Sequence, residues 1–253
     1  MIRSIIERFS RGKSFKRRLP SEFGCTPLYV SPDAQLKYLK IGVEAFDVEL
    51  LRIAREHIRE DSHVWDVGSN IGVFTFAAAS IAKKGSTLAI EADNWLVQLM
   101  SRSLSLRKNA GLNIQILSTA ISDRNGVSTF LIANRGRASN YLEVAGGRSV
   151  TGGIRERVIV PTLTMDTLLE FFSPPNFLKI DVEGAEAMVL KGARRLLSEI
   201  QPTIYIEVGS EANDEVTAIL KDNRYVLFDG SKPLQGQKPL PSCTFNTLAI
   251  SKG

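Results

Sequence analysis

The sequence predicts an α/β fold, a mostly parallel β-sheet with helices on both faces. Three observations carry this. Short apolar runs alternate with longer amphipathic stretches through the middle of the chain, the pattern of βα units. The run Val64-Trp65-Asp66-Val67 meets a glycine-bracketed turn, Gly68-Ser69-Asn70-Ile71-Gly72, before a new apolar stretch begins. The chemistry-bearing residues Asp66–Gly72, Glu91, Ala120–Asp123, Asp181–Gly184 and Glu207 all fall at or just past the C-terminal ends of expected strands. Ligands of open parallel sheets bind there, and right-handed crossovers bring those ends together.

The elements follow in order. Ile2, Ile5, Ile6 and Phe9 recur at helical spacing among arginines, which fits a short amphipathic helix or a solvated terminal arm. Leu28-Tyr29-Val30 is a short apolar piece, and Leu36–Lys40 reads as a further short strand. Phe46 to Ile58 carries apolar residues on one helical face and leads into a strand at His63. The helix from Ile71 to Ala82 is apolar nearly all round, so it should be buried. Ser86–Ile90 is a strand ending at Glu91. Asn94–Asn109 is a helix stopped by Gly111, and Asn113–Leu117 is a strand. Arg124-Asn125-Gly126 suits a hairpin-like turn into Val127–Ala133. Residues 134–157 are rich in Gly, Arg, Ser and Asn and read as a long functional or disordered loop. Thr162–Phe172, Ala185–Leu197 and Glu211–Lys221 read as helices. Asn176–Ile180, Thr203–Val208, Tyr225–Phe228 and Thr244–Ile250 read as strands.

Composition bounds the class. The chain has 253 residues, 43% of them hydrophobic and 23% charged, ordinary for one globular domain. No apolar run approaches the roughly 20 residues of a membrane span. The basic N-terminus lacks an apolar core and a small-residue cleavage site, which argues against a signal peptide and for a cytoplasmic location. Cys25 and Cys243 form no CxxC pair and suit isolated thiols in a reducing compartment. Residues 1–18 hold Arg3, Arg8, Arg11, Lys13, Lys16, Arg17 and Arg18 against Glu7, a net +6 against +5 for the whole chain. The body is therefore near neutral, and nucleic acid is not expected as a partner. Residues 1–20 are a basic arm or helix, 21–253 a single domain. A peripheral contact of residues 1–18 with an anionic membrane is consistent with this charge. Oligomeric state is not legible.

The turn chemistry points to a ligand. The dinucleotide fingerprint G-x-G-x-x-G uses its extra glycines to admit a pyrophosphate. Here Ser69 and Asn70 stand between Gly68 and Gly72, adding bulk and polar groups. A ligand with a ribose but no phosphate fits better, and S-adenosylmethionine is the obvious one. Glu91, at the end of the next strand, is placed to accept hydrogen bonds from two ribose hydroxyls. A nicotinamide-dependent dehydrogenase is disfavoured by the same spacing.

Val64-Trp65-Asp66-Val67-Gly68-Ser69-Asn70-Ile71-Gly72 resembles motif I of the class I S-adenosylmethionine-dependent methyltransferases. Phe177-Leu178-Lys179-Ile180-Asp181-Val182-Glu183-Gly184-Ala185-Glu186, followed by Ile204-Tyr205-Ile206-Glu207-Val208, is similar to the FkbM-type members of that class. The resemblance covers about residues 44–230. It implies a Rossmann-like, seven-stranded sheet with the last strand antiparallel, and O-methylation of a hydroxyl on a sugar, glycan or natural product. It implies that Gly68–Gly72 cradle the methionine part, Glu91 holds the ribose and Ala120-Ile121 flank the adenine. The cofactor-binding set is then Asp66, Gly68, Ser69, Asn70, Gly72, Glu91, Ala92, Ala120, Ile121 and Asp181. The family's aromatic-acidic-Pro-acidic stretch reads Phe46-Asp47-Val48-Glu49 here, without the proline.

The acceptor's proton needs a base. His57 and His63 are the only histidines, and both fall near the end of the sheet opposite the ligand. Carboxylates remain: Asp181, Glu183 and Glu207 form the catalytic candidates, acting directly or, in a minority reading, by holding Mg²⁺. Glu183 and Glu186 also suit a helix N-terminus, and Asp166 suits the start of its own helix. Asp181 is equally placed for the methionine amino group. Two other functions compete: RNA or protein methylation recruited by the basic arm, and a non-catalytic scaffold that keeps the pocket.

Overall fold

The computed structural model describes residues 10–134, 136–146 and 153–252. The amphipathic pattern at Ile2–Phe9 lies outside them, as do Arg135 and residues 147–152 of the glycine-rich stretch. The strands are β1 (Phe15–Arg18), β2 (Pro27–Val30), β3 (His63–Val67), β4 (Ser86–Glu91), β5 (Ile114–Ser118), β6 (Ala120–Ile121) and β7 (Gly126–Ala133). They continue as β8 (Tyr141–Leu142), β9 (Ile154–Leu163), β10 (Phe177–Ile180), β11 (Thr203–Glu207), β12 (Tyr225–Asp229) and β13 (Asn246–Ser251). The helices are α1 (Val48–His57), α2 (Val73–Ile81), α3 (Asn94–Leu104), α4 (Met165–Leu168), α5 (Glu186–Lys191) and α6 (Asn213–Asp222).

The main sheet has seven strands in the order β12-β13-β11-β10-β3-β4-β5. Strands β5, β4, β3, β10 and β11 run parallel, and β13 runs antiparallel between β11 and β12. This is the architecture expected from the sequence. Period-two alternation sends Val64, Phe177 and Tyr205 to one face, against Leu51, Ile53 and Phe76 of α1 and α2. Trp65, Val67, Leu178 and Ile204 go to the other face, against Val189, Leu190 and Val216 of α5 and α6. All four residues of β10 are buried, as a central parallel strand covered on both sides must be.

Several element boundaries differ from expectation, each for a local reason. Leu36–Leu39 is a 3₁₀ turn rather than a strand; it buries Tyr38. Gly72, with φ of +87°, delays the start of α2 to Val73. Helix α3 stops at Leu104, and a 3₁₀ turn at Arg107–Asn109 follows. There the Asn109 amide donates to the carbonyls of Ser103 and Pro27, closing the helix end with a side chain. Helix α5 ends at Lys191; the Gly192 carbonyl turns away to accept from the Asp166 N–H at 3.0 Å, and a Cβ at that position would lie 2.2 Å from the Ser122 carbonyl oxygen. A π-helical turn at Leu196–Ile200 continues it.

The largest difference is a second, four-stranded sheet, ordered β6-β9-β7-β8. Its long member β9 runs from within the stretch expected as a loop into the stretch expected as a helix. The Arg124–Gly126 turn does not make a hairpin: β6 pairs parallel with β9, and β7 pairs antiparallel with the same strand. Isolated from β9, β6 has no ladder and β7 keeps only its two-residue pairing with β8, so both depend on a partner that local pattern does not reveal.

Candidate active site

The site grows from the turn after β3. Gly68 has φ of +73°, and a Cβ on it would lie 1.9 Å from the Asp181 carbonyl oxygen. Only glycine lets the turns after β3 and β10 touch. Asn70 also has positive φ, which asparagine tolerates, and its side-chain oxygen accepts from the Ile71 N–H at 2.8 Å. A Cβ on Gly72 would press on Met100 and Phe76 at 3.1 Å, so that glycine shapes the turn's packing.

Beneath the turn lies a buried charge row. Asp66, Lys179 and Tyr205 occupy matching positions on the adjacent strands β3, β10 and β11. Lys179 Nζ sits 3.1 Å from Asp66 and 3.6 Å from Asp181, and donates to the Gly68 carbonyl at 3.0 Å. Asp66 is 0% exposed and also accepts from Thr75 Oγ1 of α2 at 2.6 Å. Burial opposes the charge on Lys179, but Asp66, Asp181 and Glu207 outweigh it and raise its pKa. The ammonium therefore stays charged and ties β3, the Gly68 turn and Asp181 together.

Glu91 ends β4. Its two oxygens accept one backbone N–H each, from Asn70 and from Asp93, both at 2.8 Å. A carboxylate has about four acceptor sites, so capacity for further donors remains. The side chain is 7% exposed, and burial pushes its pKa up to about 7 against the pull of those two N–H groups.

A cavity of about 450 Å³ opens at these strand ends. Gly68, Ser69, Asn70, Glu91, Ala92, Ala120, Ile121, Asp181, Glu183 and Glu207 all line it. Asp66 and Gly72 do not; Asp66 acts below the floor, on Lys179. Glu49 lines the cavity too, and accepts from the Tyr205 hydroxyl at 2.6 Å. Burial, then Glu49, raise the Tyr205 pKa, so the phenol keeps its proton. In the Phe46-Asp47-Val48-Glu49 stretch, Asp47 caps α1 by accepting from the N–H groups of Glu49 and Leu50, and pairs with Lys37 at 3.1 Å. Val48 takes the first helical position, where proline is favoured but not required.

The cavity is roofed by residues 137–142 together with Gln35, Lys37 and Tyr38. Arg137 holds this roof down. Its guanidinium reaches Asp93 at 2.5 Å and Asp33 at 3.3 Å, and lies over the Trp95 ring at 4.7 Å. Asn140 adds a bond to Asp93 at 2.8 Å, and Arg155 of β9 a bond to Asp33 at 3.1 Å.

Neither histidine lines the cavity. His57 stacks on Phe177, and His63 Nδ1 meets Ser86 at 2.8 Å. Glu186 is buried and accepts from the Gly184 N–H at 2.9 Å, as its helix-start position suggests. Asp166 does not serve its own helix, which Thr164 caps; it accepts from the N–H groups of Arg195 and Leu196. Among the described residues no group of three His, Cys, Asp or Glu side chains is placed to hold a metal ion, so the geometry gives the Mg²⁺ alternative no support.

Sequence reasoning passed over Lys179, Tyr205 and Arg137. The first had a signal: a lysine in the apolar run Phe177-Leu178-Lys179-Ile180 must find a countercharge when buried, and Asp66 in Val64-Trp65-Asp66-Val67 is its mirror image. Arg137 had none, because its partners come from distant segments.

The strand order, the antiparallel β13 and the strand-end cavity define a Rossmann-like class I methyltransferase fold. A family model described as the methyltransferase FkbM domain matches residues 66–227, and the chain belongs to that family. Its relatives include the hexuronic acid methyltransferase AglP of Haloferax volcanii, 26% identical over 69% of this chain and 67% of that protein. Methyltransferase 1 of Beauveria bassiana is 24% identical over 76% of this chain and 81% of that one. Among solved structures, methyltransferase FkbM from Methylobacillus flagellatus is similar at 17% identity and a TM-score of 0.49, over 76% of this chain and 44% of that one.

Proposed function

We propose that this chain is an S-adenosylmethionine-dependent O-methyltransferase acting on a hydroxyl of a sugar, a glycan or a small natural product. The observation that carries the reading is the distribution of carboxylates in one cavity. Glu91 has hydrogen-bond capacity left for a ribose, while Asp181, Glu183, Glu207 and Glu49 line the rest. An acid-rich wall suits a cationic sulfonium and ammonium, and the turn lacks the glycines with which dinucleotide sites admit a pyrophosphate. The name of the Haloferax volcanii relative supports a carbohydrate acceptor.

The bound cofactor supplies an electrophilic methyl group. The chain's own residues do the rest. Glu91 would accept from the ribose hydroxyls, Ala92, Ala120 and Ile121 would border the base, and the turn at Gly68–Asn70 would border the amino-acid part. Lys179 fixes the Asp181 carboxylate through an ion pair. One carboxylate, Asp181 or Glu207, would take the single proton that the acceptor hydroxyl loses as it attacks, a role open to a carboxylate in a protected site. The main work is alignment of that oxygen with the methyl group.

The test has two arms. Calorimetry should find binding of S-adenosylmethionine and none of NAD(H). Incubation with panels of glycosides and alcohols should yield products heavier by one methylene, cleaved back only by ether-cleaving reagents. Methyl appearing on nitrogen or on a carboxylate would reject the O-methyltransferase reading.

A further inference from the structure

The basic character of this chain is not confined to its N-terminal arm. Residues 10–21 contain no Asp or Glu and hold Arg11, Lys13, Lys16, Arg17 and Arg18. Residues 94–122 likewise contain no acid and hold Arg102, Arg107 and Lys108. The fold packs these two stretches together. The Tyr29 N–H of β2 donates to Ser103 Oγ of α3 at 2.8 Å, and Arg102 donates to Ser14 at 3.2 Å. Asn109 reaches the Pro27 carbonyl at 2.8 Å. Where they meet, a groove is lined by Lys16, Arg17, Arg18, Pro27, Leu106, Arg107 and Lys108, five cations and no acid. Among the described residues none of these cations has an ion-pair partner.

We infer that this groove and its surround, built by β1 and the end of α3, form a docking face for the anionic surface of a lipid bilayer. Two features favour a bilayer over RNA. The aromatic rings of this face are already covered by cations: Lys16 lies over Tyr29 at 5.4 Å, Arg102 over the same ring at 4.3 Å, and Arg17 over Phe15 at 4.7 Å. Among the described residues Phe15 and Tyr29, the rings of this face, are thus already engaged by cations, and stacking on open rings is what single-stranded nucleic acid needs beside charge. In sequence the face continues into Ile2, Ile5, Ile6 and Phe9 interleaved with Arg3 and Arg8, apolar and basic residues of the kind that settle in the headgroup region. Phospholipid headgroups ask only for clustered point charges, and each cation near such a surface is worth about fivefold in partitioning.

The full-length protein should sediment with vesicles of phosphatidylcholine containing about one-third phosphatidylserine, not with pure phosphatidylcholine, and rising salt should release it. Arg107→Glu/Lys108→Glu leaves the arm intact and alters two exposed residues. It should lower partitioning at least thirtyfold, about what the loss of two cations alone implies. Lys238→Glu/Lys252→Glu makes the same change in net charge at the opposite edge of the sheet and should bind vesicles nearly as wild type. Equal loss in both double variants would reduce the effect to net charge and overturn the face. Unchanged partitioning of Arg107→Glu/Lys108→Glu, or no binding of the wild type to anionic vesicles, would overturn it too. So would binding of single-stranded RNA that displaces the vesicles.

Discussion

The floor and the roof of the cavity are built on different principles. The floor is made of turns that follow β3, β4 and β10, and its contacts are dictated by strand pairing. Gly68, Glu91 and Asp181 meet because neighbouring parallel strands end side by side. The roof is made of residues 137–142, and no strand of the main sheet contains them. It is held by ion pairs from Arg137 to Asp33 and Asp93, 104 and 44 residues away in sequence, by backbone bonds to Asp33 and Ala34, and by the two-residue pairing of β8 with β7. A floor set by sheet register is stiff and fails globally. A roof tied by a few charge pairs and one short ladder outside the main sheet can open locally while that sheet stays folded. An enzyme that must admit a cofactor and release its product needs that asymmetry.

The largest expected effect is on catalysis at the floor. Asp181→Asn and Glu207→Gln should each lower kcat by 10²–10⁴, the usual loss for a general base, while His57→Gln keeps near-normal turnover. Circular dichroism should show all three folded. Full activity in both carboxylate variants would move the chemistry to another part of the cavity.

Next comes the floor's ion pair. Lys179→Met leaves Asp66 buried with Thr75 and no countercharge. Breaking a buried pair costs about 3–5 kcal/mol, and the upper end applies because Asp66 is fully enclosed. Denaturant unfolding should show one cooperative transition shifted as a whole. A loss under 1 kcal/mol would mean that the row under Gly68 does not bind the floor together.

Arg137→Gln probes the roof. Asp33 keeps Arg155 and Asp93 keeps Asn140, so the cost should be nearer 3 kcal/mol and local. Hydrogen exchange should quicken in residues 137–142 while β3, β4 and β10 remain protected, and cofactor affinity should fall. Uniform acceleration across the sheet would erase the distinction between floor and roof.

The smallest effect is a pH dependence at Glu91. Its folded pKa is raised, to about 7, so the stability attached to its neutral form is complete below the ordinary carboxylate value and is lost as pH rises through 7. Ligand binding should run the other way, because ribose hydroxyls donate to the carboxylate. Affinity measured by calorimetry should climb about thirtyfold from pH 5.5 to 8.5, as the ionised fraction does for a pKa of about 7, and the climb should be absent in Glu91→Gln. Identical profiles in the two proteins would remove Glu91 from the ribose position.

Legibility in the sequence followed the same division. The βα turn at Gly68–Gly72, the strand-terminal Glu91 and the run ending at Asp181 were readable because each is a local pattern of period and turn chemistry. The exclusion of both histidines from the cavity was readable from which end of a strand they occupy. The second sheet was not. Ile154–Leu163 carries charges at Arg155, Glu156 and Arg157 and looks irregular alone; it becomes a strand only when β7 and β6 supply its two edges. The basic face escaped for a related reason, since residues 94–122 carry few charges and gain a collective one only beside β1.

By itself the sequence determined the alternation of strands and helices, the parallel central sheet and the end of it at which the carboxylates gather around a cavity. Those properties depend on side chains a few residues apart, within reach of one turn or one strand. Only the tertiary structure decided that Lys179 neutralises Asp66, that Arg137 closes the roof and that two acid-free stretches share one face. Each is an electrostatic relation between groups far apart in the chain, and Coulomb energies depend on distance in space and on burial, which folding alone sets.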